Sequence, residues 1–257
     1  MKLFDLAGKT ALITGGSSGI GFAIADAFVD LGATVLIAGD QADALAAAGE
    51  HLNDKRPGAC LTKAVDLSDR RAAERLVDLA IERLGHLDIL VSNAGIEGHV
   101  GPIGEVDDDL YRKTFAINLD AAVWLSARAA PHMKSIGGGS IILMSSLSAL
   151  RGNGAIGVYS LTKAALIQLA RTLAVEWGPA NVRANAIVPG LIETPFSDGL
   201  MSNQDFMKRR LQATPLRRVG QPSEIAATAA WLASAGGAFV TGQAIVVDGG
   251  TIISDGS

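Results

Sequence analysis

Lys9-Thr-Ala-Leu-Ile-Thr14, followed at once by Gly15-Gly-Ser-Ser-Gly19-Ile-Gly21, decides the fold. The first six residues read as a short strand buried on both faces. After the glycines, Phe22, Ile24, Ala25, Phe28 and Val29 recur at helical spacing. Strand, glycine-rich turn and helix in that order make a dinucleotide site. The glycines let backbone approach a pyrophosphate, and free N–H groups at the helix start hold its charge. Gly15, Ser17, Ser18, Gly19, Ile20 and Gly21 are therefore the expected phosphate cradle.

Outward from that turn, strands and helices alternate. Thr34–Ala38 reads as a strand, Ala42–Leu52 as a helix and Ala59–Val65 as a third strand. Ser68 reads as a helix cap, with Asp69 in the first turn. Leu87–Ser92 is a fourth strand, and Asp107-Asp-Asp109 opens a long helix towards Met133. The strand Ser140–Met144 and a helix towards Trp177 follow, then the strand Val182–Val188. The longest irregular stretch runs from Gly190 to Val219; a helix begins at Pro222 and the strand Ala244–Val247 follows it. The alternation implies one α/β domain over residues 1–257, a doubly wound parallel sheet with helices on both faces.

Composition narrows the function. The net charge is −4, with no basic stripe or aromatic-basic interleaving, so no nucleic acid is expected as partner. The single cysteine, Cys60, excludes an internal disulfide and suits a reducing, cytoplasmic compartment. Met1–Lys9 shows neither the apolar core nor the cleavage site of a signal peptide. Ile225 to Val247 carries no formal charge and is long enough to span a bilayer. Gly236-Gly237 and Thr241-Gly242-Gln243 interrupt it, so no membrane span is expected. His51, His86, His99 and His132 are scattered without ligand spacing, and no metal site is expected.

The chemistry lies in Val158-Tyr-Ser-Leu-Thr-Lys163. Tyr159 and Lys163 are four residues apart, on one face of a helix. A phenol titrates near pH ~10, and an ammonium beside it favours the phenolate. The pair is an acid/base device for an alcohol oxygen.

With the turn Thr14-Gly15-xxx-Gly19-x-Gly21, the chain resembles the short-chain dehydrogenase/reductase family, whose first glycine gap is wider than the usual Rossmann fingerprint. The resemblance covers nearly the whole chain, in order: Asn93-Ala94-Gly95, Asn118, Ser146 thirteen residues before Tyr159, Pro189-Gly190, Thr194 and Asp248-Gly249-Gly250. It implies a Rossmann-like fold and a nicotinamide cofactor. Tyr159 becomes the acid/base, and Lys163 lowers its pKa and bonds the nicotinamide ribose. Ser146 holds the substrate oxygen, and Asn118 supports a proton-relay water. Ser145 and Ser148 make a merely polar loop the competing reading for Ser146, and a backbone-bridging asparagine competes for Asn118. Asp66 and Leu67 meet the adenine side. Asn93, Ala94, Gly95, Pro189, Gly190, Ile192 and Thr194 line the rest of the cofactor site.

The resemblance also places a mobile substrate lid at about residues 190–215. Leu191, Phe196, Met201 and Phe206 from the lid, with Ile96, Leu147 and Asn153, imply a largely apolar pocket. Met207-Lys-Arg-Arg210 and Arg217-Arg218 read as solvated basic surface, with attraction of an anionic substrate as the alternative. Relatives pair through the helices carrying Asn118 and Tyr159. Ala121, Ala122, Ala129, Ala164, Ala165 and Ala170 are small enough for such an approach, so a homotetramer is expected.

Cofactor choice turns on the end of the second strand. In relatives that prefer NAD the acid usually occupies the position of Gly39, and those that prefer NADP often carry arginine at the position of Asp40. This chain keeps the glycine and puts a carboxylate, nineteen residues after Gly21, where that arginine would be. No basic residue lies in Gly15–Gly21 to offset its repulsion of a 2′-phosphate. The bland role for Asp40 is a cap on the helix starting near Ala42. The expected activity is therefore an NAD(H)-dependent oxidoreductase for a secondary alcohol or ketone, NADP being the less favoured cofactor. The alternatives are an NADPH-dependent 3-oxoacyl thioester reductase and a non-catalytic dinucleotide-binding sensor or scaffold.

Overall fold

The strand that opens the dinucleotide reading forms as β1 (Thr10–Thr14), and the glycine turn leads into α1 (Gly19–Asp30). A computed structural model describes residues 3–254. β2 (Thr34–Gly39), α2 (Ala42–Lys55), β3 (Cys60–Ala64), α3 (Arg70–Leu84) and β4 (Ile89–Ser92) complete the first half. The second half holds α4 (Asp108–Phe115), α5 (Ala121–Ser135), β5 (Gly139–Met144), α6 (Gly157–Trp177) and β6 (Val182–Pro189). It ends with α7 (Asp198–Met201), α8 (Gln204–Gln212), α9 (Pro222–Ala233) and β7 (Ala244–Val247).

The strands form one seven-stranded sheet in the order β3-β2-β1-β4-β5-β6-β7, every pair parallel. Strand residues alternate between two cores because the side-chain period is two. Ala11 and Ile13 of β1 join α1, α2 and α9 on one face, whereas Leu12 joins α3, α5 and α6 on the other. The doubly wound parallel sheet is thus observed as expected. The order reverses between β1 and β4, which opens a crevice at the carboxyl ends of those strands.

Three local expectations and one competing reading need correction. Asp69, not Ser68, is the cap of α3: its carboxylate accepts the Arg71 N–H, while Ser68 is drawn back to Asp66 by two hydrogen bonds. The long helix from Asp107 is broken by a π-helical turn at Ala116–Asp120, around Asn118. The stretch after Gly190 is not irregular throughout, since it contains α7 and α8. Asp40 does not cap α2: Gln41 stands at that position and makes no side-chain cap bond. The apolar run from Ile225 divides as expected, α9 ending at Ala233 and β7 starting at Ala244.

Candidate active site

The glycine turn has no room for side chains at Gly15 and Gly21. A Cβ on Gly21 would lie 2.0 Å from the Gly15 carbonyl oxygen, and Gly15 and Gly19 have φ of +64° and +54°. Ser18 starts α1 without a side-chain cap bond, and no acid stands in the first turn. The first N–H groups of α1 are therefore left for an anion. Thr14 ties the turn to the neighbouring strand: its Oγ1 accepts the N–H groups of Asn93 (3.0 Å) and Ala94 (3.1 Å). The Asn93 amide donates back to the Thr14 and Gly15 carbonyls. Thr194, from the segment after β6, packs over the turn, with its side chain 3.3 Å from where a Gly19 Cβ would lie. Pro189 ends β6, and Gly190 N–H bonds the Val247 carbonyl. Ile20 and buried Ile192 pack into the core below the turn.

At the end of β2, exposed Asp40 makes no hydrogen bond or ion pair among the described residues. A Cβ at Gly39 would meet only Leu45 and Ser17 at 3.9 Å. Ser17 therefore faces the same corner. The hydrogen bonds from Ser68 lower the pKa of Asp66 from its ordinary value. Leu67 beside it is buried.

The acid/base pair forms on α6 as the spacing predicts. Tyr159 and Lys163 lie on one face, with Lys163 Nζ 5.4 Å from the centre of the Tyr159 ring. Lys163 is buried, its Nζ donates to the Met144 carbonyl at 2.8 Å, and burial lowers its pKa to about 8. Ser145 Oγ donates to the Lys163 carbonyl at 2.7 Å. These two bonds fasten the reactive turn of α6 to the end of β5.

The serines sort themselves by bonding. Ser145 is spent on that anchor. Ser146 Oγ accepts from both Ser148 N–H (3.2 Å) and Ser148 Oγ–H (3.1 Å). A hydroxyl has two acceptor positions and one proton. Ser146 thus has its proton left to donate, and it acts to lower the Tyr159 pKa.

One electrostatic expectation is overturned. Burial pushes the Tyr159 phenol up to about 12, and the Glu97 carboxylate adds to the rise. The ammonium stands over the ring, bound to a backbone carbonyl, and not against the phenol oxygen. Ser146 is the group that opposes the shift.

Asn118 bridges backbone: its Oδ1 accepts the Ile96 N–H and its Nδ2 donates to the Ile96 carbonyl, both at 2.8 Å. A Cβ on Gly95 would sit 3.2 Å from Asn118 Oδ1 and 3.3 Å from Lys163 Nζ. The strand-end segment Asn93–Ile96 is therefore pressed against the acid/base pair. From the lid side, the Phe196 ring lies 6.1 Å from that of Tyr159. Leu147 is buried, and Ile96 and Leu191 are half-buried. Asn153 is turned to its own loop, where its Oδ1 accepts the Ala155 and Ile156 N–H groups. Met201 and Phe206 lie on α7 and α8.

Comparison with known proteins agrees with this geometry. A family model described as enoyl-(acyl carrier protein) reductase matches residues 15–251. The human protein named dehydrogenase/reductase SDR family member 4 is 36% identical over 252 residues, 96% of this chain and 88% of its own. The chain belongs to the short-chain dehydrogenase/reductase family. Two solved family structures superpose closely. A 7α-hydroxysteroid dehydrogenase complexed with NADH and 7-oxo glycochenodeoxycholic acid gives a TM-score of 0.92 at 34% identity, over 97% of this chain and 96% of that one. A gluconate 5-dehydrogenase from Burkholderia cenocepacia, in complex with NADP and tartrate, gives 0.93 at 30% identity, over 98% of each chain.

Within this short-chain dehydrogenase/reductase, three features escaped the sequence. The Glu97 carboxylate works against ionisation of the Tyr159 phenol, but nothing in its spacing marks it. The Thr14–Asn93 tie joins residues 79 apart, which only the strand order brings together. Arg210 belongs to a run read as solvated surface, yet it is half-buried over the Phe206 ring, 5.3 Å from its centre.

Proposed function

We propose that the chain is an oxidoreductase that moves a hydride between NAD and a secondary alcohol or its ketone, with Tyr159 as the proton donor and acceptor. The observation that carries this reading is the convergence of Ser146, Tyr159 and Lys163 where β5 meets α6, beside the crevice between β1 and β4.

The residues present fit a nicotinamide dinucleotide. The Gly15–Gly21 turn, open to close approach at its glycines, and the open start of α1 would hold the pyrophosphate. Asn93–Gly95, Pro189, Gly190, Ile192 and Thr194 would line the nicotinamide half, and Lys163 would reach its ribose. Asp66 and Leu67 would meet the adenine. When bound, the cofactor supplies or accepts the hydride. In reduction, Tyr159 gives its proton to the carbonyl oxygen while Ser146 donates its free O–H to the same oxygen. In oxidation, Tyr159 takes the alcohol proton. Its high pKa in this structure makes the protonated acid the resting form. Ser146, and Lys163 once its ammonium bonds the sugar, favour the phenolate needed for oxidation. Asn118 fixes the Ile96 segment and steadies the relay beside Lys163.

Asp40 supports NAD over NADP. Its carboxylate is unpaired, exposed and free of a capping role. Residues 190–215 act as a lid over a mainly apolar pocket, and the whole chain works as one catalytic unit. Buried Cys60, its thiol pushed up to about 11 by burial, is inert and suits the cytoplasm. No helix among the described residues is long and apolar enough to cross a membrane. A second reading is reduction of a 3-oxoacyl thioester; the family model's description names a thioester-bound acyl group, there of the enoyl type.

The test is a panel of secondary alcohols, ketones and 3-oxoacyl thioesters, each with both cofactors, followed by nicotinamide absorbance. Turnover of simple alcohols or ketones, faster with NAD, is the expected outcome. Turnover confined to thioesters with NADPH would replace the first reading by the second.

A further inference from the structure

The chain leaves the sheet after β6 and comes back through α9, and the two crossings are tied together. Gly220 N–H donates to the Leu191 carbonyl and Glu193 N–H to the Gly220 carbonyl, both at 2.9 Å. These bonds make a parallel bridge between Ile192 and Gly220. Arg218 grips Glu224 in a fork, Nη2 to Oε1 at 2.6 Å and Nη1 to Oε2 at 2.8 Å. Glu224 Oε2 also accepts the Gln221 N–H at 2.8 Å. The Gln221 side chain then donates through Nε2 to Glu193 Oε2 at 2.7 Å. Glu193, before the lid helices, and Arg218, after them, are thus joined through the start of α9. The place of Glu193 gives the tie its meaning. Ile192 before it is buried in the core below the glycine turn. Thr194 after it packs over that turn, 3.3 Å from where a Gly19 Cβ would lie. The Thr194 hydroxyl makes only long bonds, 3.3 Å to Ser197 Oγ and 3.5 Å to the Ile192 carbonyl.

Arg218 and Glu224 are both exposed, and ion pairs in that setting add little to stability. What a two-bond fork does supply is fixed geometry. We infer that Arg218, Glu224, Gln221 and Glu193 are positioning residues, which close the two ends of the lid on each other and hold Thr194 over the opening of α1. That opening is where the pyrophosphate would lie, so the network sets how firmly a dinucleotide is retained. None of the four bonds Ser146, Tyr159 or Lys163 among the described residues. Their effect therefore falls on cofactor binding and not on proton transfer.

This inference rests on the cofactor site of the oxidoreductase reading, and its test separates the two. NADH is the probe, titrated by fluorescence. Glu193→Ala should raise its Kd about three- to tenfold, the worth of one hydrogen bond. Glu193→Gln keeps an oxygen for the Gln221 amide and should bind like wild type. Arg218→Ala and Glu224→Ala should both raise Kd, although one removes a positive charge and the other a negative one. A field acting on the anionic dinucleotide would give those two changes opposite signs. In steady state the KM for NADH should rise while kcat at saturation stays near wild type. If the network works through Thr194, Glu193→Ala should change Kd little in a Thr194→Ala background. Glu193 caps no helix, so its variants decide the case if Glu224→Ala fails to fold. An unchanged Kd in Glu193→Ala overturns the inference. So does binding that follows charge alone, weaker in Arg218→Ala and tighter in Glu224→Ala, or a full effect of Glu193→Ala without the Thr194 side chain. If wild type binds neither NADH nor NADPH, the oxidoreductase reading fails, and hydrogen exchange without cofactor judges the tie itself. The Glu193 and Gly220 amides should then exchange faster in Glu193→Ala, and equal exchange would overturn the tie as well.

Discussion

At the residue scale, Tyr159 and Lys163 divide proton transfer and charge. Tyr159→Phe removes only the titrating oxygen, so kcat should fall by about 10²–10⁴ while cofactor affinity stays near wild type. A fluorescence titration with NADH beside steady-state rates checks both. Lys163 gives a pH prediction with a definite sign. Its pKa is lowered from 10.5 to about 8 by burial, so the unfolded chain binds that proton more tightly. The penalty is full below pH 8 and is relieved as pH rises from about 8 to 10.5. Lys163→Met lacks this dependence. Wild-type stability relative to the variant should therefore improve by about 2–3 kcal/mol between pH 7 and pH 10, in denaturant titrations without cofactor. Tyr159, pushed up to about 12, stays protonated in the fold throughout that window. Asp40 sets a third expectation. Asp40→Arg replaces repulsion by attraction for a 2′-phosphate and should raise the NADP-to-NAD ratio of kcat/KM by tenfold or more. An unchanged ratio would sink the specificity argument.

At the element scale, the glycine turn gives a paired prediction. A Cβ at position 21 collides with the Gly15 carbonyl at 2.0 Å, backbone that cannot move without opening the cradle. Gly21→Ala should weaken NADH binding at least tenfold. Gly39→Ala, which meets only ordinary contacts at 3.9 Å, should bind NADH like wild type and keep its melting temperature. The same elements show what the sequence could reveal. The all-parallel sheet was legible because buried apolar runs, glycine turns and amphipathic helices each keep their own period. The Tyr159–Lys163 face was legible because helix spacing is local. Ser146 was singled out by resemblance alone, since Ser145 and Ser148 have the same chemistry, and only their hydrogen bonds in the fold tell the three apart. The cap of α3 passed from Ser68 to Asp69 because Asp66 competes for the serine. The π turn at Asn118 was not legible, since its extra residue is held by tertiary bonds to Ile96 and not by local propensity. Arg210 was misread for a similar reason: a basic run looks solvated until the lid helix turns one member inwards.

At the scale of the whole molecule, the surface carries the last prediction. The alanines proposed from the sequence to let helices of two copies approach are mostly spent inside the protomer. Ala121, Ala122, Ala129 and Ala170 are buried in its own core, because α5 and α6 pack that side against the sheet. The outward face of α6 instead presents Leu161, Ala164, Gln168 and Val175, at i, i+3, i+7 and i+14, with Leu161 50% and Val175 81% exposed. Arg171, exposed and bonded to Gln168, stands on this face too, so the stripe is apolar at its ends and carries one charge that a seam between copies would have to pair or turn aside. A second surface lies at the other end of the sheet. The edge strand β3 carries Lys63, a common guard against edge pairing, whereas the edge strand β7 is Ala-Ile-Val-Val and uncharged. Phe239, fully exposed, and Ile253 stand near that edge in the chain. Two separate apolar surfaces, each able to meet its own copy, generate a closed tetramer with three twofold axes where one alone would stop at a dimer. We therefore expect light scattering to give four protomers. Leu161→Glu should break the α6 seam and leave a dimer held through β7, and Phe239→Glu should leave a dimer held through α6. A wild type that runs as a monomer at micromolar concentration would refute the assembly, and a tetramer untouched by both changes would move its interfaces elsewhere.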